Sequence, residues 1–384
     1  MNNQNTTLHI RLWNRDFWLM AVANLLLTVS VTILIPTLPM WMEMVNGLSS
    51  RETGYAMGSF ALGVFLPGAF CSFLVQHYRR NKVCVWAVLS LAVTIAIPFY
   101  VERISALGFV VLRLLQGAAF GLAQMVLVST LIIDTCESAN RTEANFALTW
   151  FGRFALSLGP IGGLLLYPTL GYGIMALVAV GCLAVCGVLI LTVHCPFRVP
   201  SDHLHLFSLD RFLLLPSWPL FLTLLTYMVA VGLVLSLRHD IQFFAFLMVG
   251  FLLALLAQRY AFRDAELKSE VVSGLLLSGM SVLVMLFAPQ SPLYSPLLGL
   301  GIGLVASRLL LFFIKFSHHC QRGTAQSTFL LGWESGMSLG IGLGFMVFDD
   351  NHEALLVCAA LLMVVALTFY SLYVHAWFLK HKNR

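Results

Sequence analysis

The sequence predicts an all-α integral membrane protein of twelve transmembrane helices, arranged as two pseudo-symmetric bundles of six. Of the 384 residues, 59% are hydrophobic and 10% are charged, whereas a soluble domain carries about 25% charged residues. Apolar runs of the length that crosses about 30 Å of hydrocarbon recur along the whole chain. The longest interior polar segment lies near the middle, so it divides the chain into two halves.

The first half is predicted to contain six spans. The residues before Phe17 are polar, and the apolar run that follows is too long for a signal peptide, so it is predicted as the first span. A turn-rich break at 167–171 separates the last two spans of this half. The predicted spans are 17–39, 53–76, 83–100, 105–132, 145–167 and 171–193.

Residues 194–216 form the polar segment and are predicted to be a linker on the cytoplasmic side. The predicted domains are therefore a first bundle over 1–193 and a second over 217–384. The second bundle is predicted to contain the spans 217–237, 241–258, 271–289, 293–316, 325–347 and 354–378. A weak internal repeat relates the halves, because Arg153 and Gly163 match Glu334 and Gly344 at one common offset of 181 residues.

The distribution of basic residues predicts the topology. Of the 22 lysines and arginines, sixteen fall in segments on the side of the two termini, three in the opposite loops and three within spans. Because cytoplasmic loops carry the excess of Lys and Arg, both termini are predicted to be cytoplasmic, in a multi-pass protein of the cell membrane. The net charge of +5 therefore reflects topology, and we expect no nucleic-acid partner. The eight cysteines indicate no disulfide framework.

Two motifs resemble those of the major facilitator superfamily. Arg113-Leu-Leu-Gln116-Gly in span four resembles that family's RxxQG motif. Gly159-Pro160-Ile-Gly-Gly163 in span five is similar to the glycine–proline motif of antiporters, although it is one residue shorter than GPxxGG. The resemblance covers essentially the whole chain. It implies a twelve-helix secondary transporter that works by alternating access, most like the proton-coupled drug and sugar efflux branch.

A third motif lies between spans two and three, where residues 72–82 resemble the family's GxLxDRxGRRK. The resemblance implies that this segment, with Gln76, Arg79, Arg80 and Lys82, sets the cytoplasmic gate. The family residues Gly, Asp, Arg and Gly are replaced by Ser72, Gln76, His77 and Arg79. The gating aspartate is thus missing, and Asp134 is the candidate that would pair with Arg80 instead.

Small residues in span five have the spacing of close helix packing. Gly159 and Gly163 are four residues apart, which lets two helix backbones approach. Pro160 removes one backbone N–H and can bend the span. These residues either only pack helices or also take a direct part in coupling and in preventing leaks.

Four charged residues lie in the interior of the predicted spans, away from their ends: Arg113, Arg153, Arg308 and Glu334. A charge at the bilayer centre costs at least about 2.5–3.5 kcal/mol, so each should face a cavity or a partner. Arg153 and Glu334 lie about 14 Å inside their spans, near the midplane. Glu334 is predicted to be the sole carboxylate of the membrane interior and the proton carrier, with Arg308 as a neighbour. The group is either a substrate and proton site or a structural ion pair.

Other candidates for the cavity are polar or aromatic. Asn24 and Gln116 are expected to contact solute, as are Trp150 and Trp333, which flank the charged positions. Packing in the core or against lipid is the alternative for the tryptophans. His203-Leu-His205 and His318-His319 lack nearby ligands, so no metal or cofactor is expected. Absence of Walker, GxSxG and HExxH motifs argues against ATP-driven pumping and against an enzyme.

The expected function is secondary active transport of a small organic solute, with proton-coupled efflux as the first interpretation. A second interpretation is proton symport or facilitated uptake of an anionic nutrient. A third is a non-transporting receptor or scaffold on the same fold. Three arginines against one glutamate favour an anionic or zwitterionic solute. The expected partners are the solute, protons and the lipid bilayer, and a monomer is expected.

Overall fold

The computed structural model describes residues 12–101, 103–137, 140–194, 205–209, 211–237, 239–349 and 351–382. Within these ranges the side chains of Ile133, Asp134 and His319 lie outside the described part. The predicted Arg80–Asp134 pair therefore lies outside the described part, and so does His203, whereas His205 is described and exposed. The described residues are helical or in turns and contain no strand.

Twelve membrane-spanning helices account for the described fold. Ten helices are long and apolar enough to cross a bilayer, one further span is bent, and one of the ten is a double span of 52 residues. We number them α1 to α12, and Gly171 divides the double span into α5 and α6. Their bounds are Arg15–Met44, Ser50–His77, Arg80–Tyr100, Ala106–Leu131, 141–170, 172–192, Leu215–Ser236, Ile241–Tyr260, Leu267–Phe287, Tyr294–Phe316, Arg322–Phe348 and His352–His381.

The turn predicted between α5 and α6 is a sharp kink instead of a loop. Helical hydrogen bonding continues past Pro168, and the chain turns at Gly171, where φ is 79°. A positive φ of this kind suits glycine because it has no Cβ to clash with the backbone. The two spans therefore meet without any intervening polar segment.

Helix α2 is the bent span. Its parts Ser50–Phe65 and Gly68–His77 meet at an angle of 47° around Leu66 and Pro67. Part of the linker packs on the second part: Ser208 N donates to Ala69 O at 3.0 Å, and the Phe207 and Phe70 rings lie 4.9 Å apart. Linker residues, which lie outside the six helices of the first bundle, therefore pack against the second part of α2.

Helix contacts repeat between the two halves. In the first half α1 packs on α5, α2 on α4 and α3 on α6; in the second, α7 packs on α11, α8 on α10 and α9 on α12. Glycines allow corresponding crossings, since a Cβ on Gly117 would lie 3.0 Å from Gly63 Cα, and one on Gly299 would lie 3.1 Å from Gly250 Cα. The expected pair of six-helix bundles is confirmed, whereas the predicted domain bounds stay a prediction.

The halves meet along two helix pairs, α2 with α11 and α5 with α8. These pairs are related by the same repeat, because α2 corresponds to α8 and α5 to α11. We call the end of the bundle where α1 begins and α12 ends the terminal end. The placement of that end in the cytoplasm stays a prediction from the charge distribution.

Candidate functional site

Helix α11 runs through the centre of the molecule. Every residue from Thr324 to Ser338 is buried. The helix packs on α7 within its own half, and on α2 and α4 of the other half. Polar side chains on α11 are therefore enclosed by protein from both halves, which is where a transporter of two bundles binds its solute.

Glu334 contacts the opposite half through Gln124. The Gln124 Nε2 donates to Glu334 Oε1 at 3.3 Å, and each residue is 4% exposed. Gln124 ends the regular part of α4, and a π-helical segment, Met125–Leu131, follows it. Such π segments inside α-helices often accompany functional sites. Gln124 was not predicted from the sequence, where its spacing of about two helical turns from Gln116 was the available signal.

Arg153 also joins the two halves. Its Nη1 donates to Ser307 Oγ of α10 at 2.6 Å, and its guanidinium lies over the Trp150 ring at 4.6 Å. Its Nη2 is buried without a hydrogen-bond partner in the described structure. Arg153 therefore keeps one donor available for a ligand in the interior.

Glu334 separates two small voids between the halves. One void of about 20 Å³ is lined by Arg153, Asn24 and Trp333, and another of about 10 Å³ is lined by Arg113. A buried water needs about 10–15 Å³. The structure therefore brings these predicted residues around one centre, but the centre is closed in this conformation and the open cavity expected from the sequence is not formed.

Arg113 and Gln116, the two polar residues of the span-four motif, are bonded to each other. Arg113 Nη1 donates to Gln116 Oε1 at 3.1 Å, and Gln116 Nε2 donates to Thr94 O of α3 at 3.1 Å. The Arg113 guanidinium also lies over the Phe60 ring at 4.5 Å, while its Nε is buried without a partner. These hydrogen bonds hold Arg113 at the void of about 10 Å³ that it lines.

Arg308 lies elsewhere, which corrects the sequence prediction. Its Nε donates to Glu270 Oε2 of α9 at 2.5 Å, and Gln258 Nε2 of α8 donates to Glu270 Oε1 at 2.9 Å. The prediction that Arg308 neighbours Glu334 is wrong, because its charge is neutralised by Glu270. The prediction that Glu334 is the sole interior carboxylate is also wrong, since α9 begins at Leu267 and buries Glu270.

Two glycines of span five, Gly159 and Gly163, contact α1. A Cβ on Gly159 would lie 2.8 Å from Ile33 N, and one on Gly163 would lie 2.7 Å from Ile33 O. Pro160 lies within the helix between them. Asn24 Nδ2 donates to Leu148 O of the same pair of helices at 2.9 Å, while its Oδ1 is buried without a partner. The glycine contacts are those of close helix packing.

The predicted gating residues lie at the terminal end, away from the voids. Gln76 Nε2 donates to Ser72 Oγ at 2.9 Å, and Arg80 Nε donates to Val75 O at 3.3 Å. Arg79 and Lys82 are exposed and line a lateral groove between α2 and α3. These contacts cap the end of α2 within the first half.

Comparison with known proteins adds a family and a fold. The family model described as Major Facilitator Superfamily matches residues 20–348. No curated protein sequence matches the chain.

Three solved structures share the fold, and at their low identities they show the fold alone. The nucleoside transporter NupG has 13% identity and a TM-score of 0.65, over 94% of this chain and 100% of that chain. The human organic anion transporter TETRAN has 15% identity and a TM-score of 0.65, over 92% and 98%. An auto-inhibited peptide transporter of the POT family has 13% identity and a TM-score of 0.68, over 97% and 98%.

Proposed function

The chain belongs to the major facilitator superfamily and is a secondary transporter, and on that premise we propose that it carries a small organic anion together with protons. The observation that carries the proposal is the position of Glu334. It shares one void with Arg153 and another with Arg113, yet its hydrogen-bond partner in the described structure is the neutral amide of Gln124.

This arrangement lets a proton change the charge of the site without breaking an ion pair. A glutamine amide offers both a donor and an acceptor, so it can bond the ionised or the protonated carboxyl group. When Glu334 is ionised it offsets part of the arginine charge, and when it is protonated the two arginines face the centre unopposed. Protonation therefore strengthens the binding of an anion, which favours movement of proton and solute in the same direction.

The solute would bind to groups that the structure leaves without partners. Arg153 Nη2 and Arg113 Nε are donors for a carboxylate or phosphate, and Asn24 Oδ1 is an acceptor for a hydroxyl or amino group. The Trp333 side chain, which lines the void together with Arg153, offers an apolar surface to an organic moiety. The two voids hold about one water each, so binding requires a conformation in which the halves separate.

Proton-coupled efflux is the second candidate, supported by the resemblance of the span-five motif to that of antiporters. In that mechanism proton and solute bind alternately. The charge argument favours it for a cationic solute, because protonation of Glu334 would then weaken binding. The two candidates therefore differ both in the sign of the solute charge and in the direction of the proton gradient that drives accumulation.

Transport in proteoliposomes tests the proposal, with labelled organic anions and size-matched cations as solutes. We expect anions to accumulate when the side that holds the solute is made acidic. Glu334→Gln should lower this gradient-driven accumulation at least about tenfold and preserve solute counterflow, whereas the exposed control Glu353→Gln should behave as the wild type. Accumulation of cations against an opposite gradient would establish efflux instead.

A further inference from the structure

A groove on the lateral surface of the first half lies outside the proposed site. It has a volume of about 1160 Å³ and lies between the bent end of α2 and helices α3 and α4. Its walls include side chains that a bilayer would cover, since Trp86 is 69% exposed, Val93 62% and Leu66 51%. We call this cavity the lateral groove.

Charge is confined to one end of the lateral groove. His77, Arg79 and Lys82 line it at the terminal end, together with Tyr78. The described lining includes no Asp or Glu, and beyond Val83 it consists almost entirely of apolar side chains. A ligand that matches this lining has one anionic end and a long apolar body.

The length of the lateral groove matches one leaflet. From Lys82 to Val93 along α3 is eleven residues, roughly 17 Å. Half of a hydrocarbon core of about 30 Å is about 15 Å. The basic end thus lies where α3 enters the bilayer, and the apolar end lies near the midplane.

The bend of α2 keeps the lateral groove open. Pro67 interrupts the helix, and the segment after it packs against linker residues, where the Phe70 and Phe207 rings lie 4.9 Å apart. The floor of the groove includes Thr94, whose carbonyl accepts the hydrogen bond from Gln116. The groove is therefore built into the helix packing and is continuous with the residues that hold Arg113.

We propose that the lateral groove is a specific binding site for an anionic phospholipid of the leaflet at the terminal end. Arg79 and Lys82 bind the headgroup phosphate, and an acyl chain lies along Trp86 and Val93. Basic side chains near the membrane surface attract anionic lipids, and basic pockets between transmembrane helices bind their headgroups. A solute or a free phosphate would satisfy only one of the two ends.

Native mass spectrometry of the full chain in detergent tests this site. The probes are phosphatidylglycerol and phosphatidylcholine with identical acyl chains. We expect one phosphatidylglycerol per chain to bind at least about tenfold more tightly than phosphatidylcholine. The double substitution Arg79→Gln and Lys82→Gln should remove that preference, and Val93→Trp, which fills the groove, should weaken both lipids.

Matched controls separate the lateral groove from general lipid adhesion. Lys315→Gln with Lys380→Gln removes two exposed lysines elsewhere on the same end, and Leu361→Trp changes a side chain that is 61% exposed on α12. Both controls should bind lipid as the wild type, and thermal unfolding confirms that each variant is folded. Equal loss of binding in groove and control variants, or displacement of the lipid by equimolar glycerol phosphate, overturns the proposal.

Discussion

Arg308, which is partly buried, and Glu270, which is buried, form an ion pair within the second half. Arg308 Nε of α10 donates to Glu270 Oε2 of α9 at 2.5 Å, and Gln258 of α8 donates to the other carboxylate oxygen. Glu270 is 2% exposed. The pair ties three helices of one bundle together and neutralises an arginine that the sequence had assigned to solute binding.

We expect Arg308→Met to destabilise the protein by about 3–5 kcal/mol, because it leaves the Glu270 charge buried without a partner. Combining it with Glu270→Met should restore most of the loss, since apolar pairs of similar volume often replace buried ion pairs without cost. Thermal or denaturant unfolding in detergent measures both effects.

The exposed Arg259 of α8 provides the control for this pair, and Arg259→Met should change stability by less than about 1 kcal/mol. One outcome for Arg308→Met would support the original prediction that Arg308 binds the solute. If Arg308→Met leaves stability unchanged and raises the KM for the solute, Arg308 contacts the solute and its pairing with Glu270 is secondary.

The order and number of the helices could be predicted from sequence because lipid imposes a length on every span. The runs 17–39 and 354–378 lie within α1 and α12 as expected. The kink at Gly171 and the bend at Pro67 were harder to predict. A turn signal shows that the chain changes direction, but packing from Phe207 and Phe212 sets the angle of α2.

The candidate site was predicted in part. Arg153 and Glu334 were found because charge is rare in an apolar span, and the structure places them around a common void. Glu270 was missed because it lies one residue before the predicted start of its span. Gln124 was missed because a neutral side chain does not stand out from its surroundings by charge. The voids around Glu334 are closed in this conformation. The spacing of residues in the sequence does not indicate which conformation the two halves adopt.

His239 gives a prediction about pH. It lies in the connection between α7 and α8, where its Nε2 contacts Val234 O at 2.7 Å and its ring stacks on Phe243 at 3.6 Å. Burial lowers the pKa of His239 to about 4, with His352 acting in the same direction and the Val234 carbonyl and Asp240 opposing it. At neutral pH the imidazole is therefore uncharged.

The sign of the effect on stability follows from the lowered pKa. Between about pH 6.5 and pH 4 the unfolded chain binds a proton at His239 that the folded chain does not. Stability is therefore fully present above about pH 6.5 and is lost as the pH falls towards 4. His239→Gln should flatten the melting temperature over this window, whereas the exposed control His77→Gln should keep the slope of the wild type. An unchanged slope in His239→Gln would mean that other groups dominate acid sensitivity.

The two halves are in direct contact at the end opposite the termini. There α2 and α11 cross with almost no space between them: a Cβ on Gly342 would lie 2.6 Å from Gly58 Cα, and one on Gly54 would lie 2.6 Å from Met346 N. Ser50 Oγ also donates to Phe345 O at 2.9 Å. Closing this end requires that no side chain stand between the two backbones.

Gly342→Ala should therefore hold the halves apart at this end. Overpacking of this kind costs about 1–3 kcal/mol, and at 1.4 kcal/mol per tenfold it would shift the population towards the open conformation about five- to a hundredfold. Hydrogen exchange should rise in residues 50–58 and 342–348, and transport should slow. Gly162→Ala and Gly279→Ala are the controls, because a Cβ at either position meets nothing within 4 Å. If Gly342→Ala lowers the melting temperature without raising exchange in these segments, the crossing stabilises the fold and does not act as a gate.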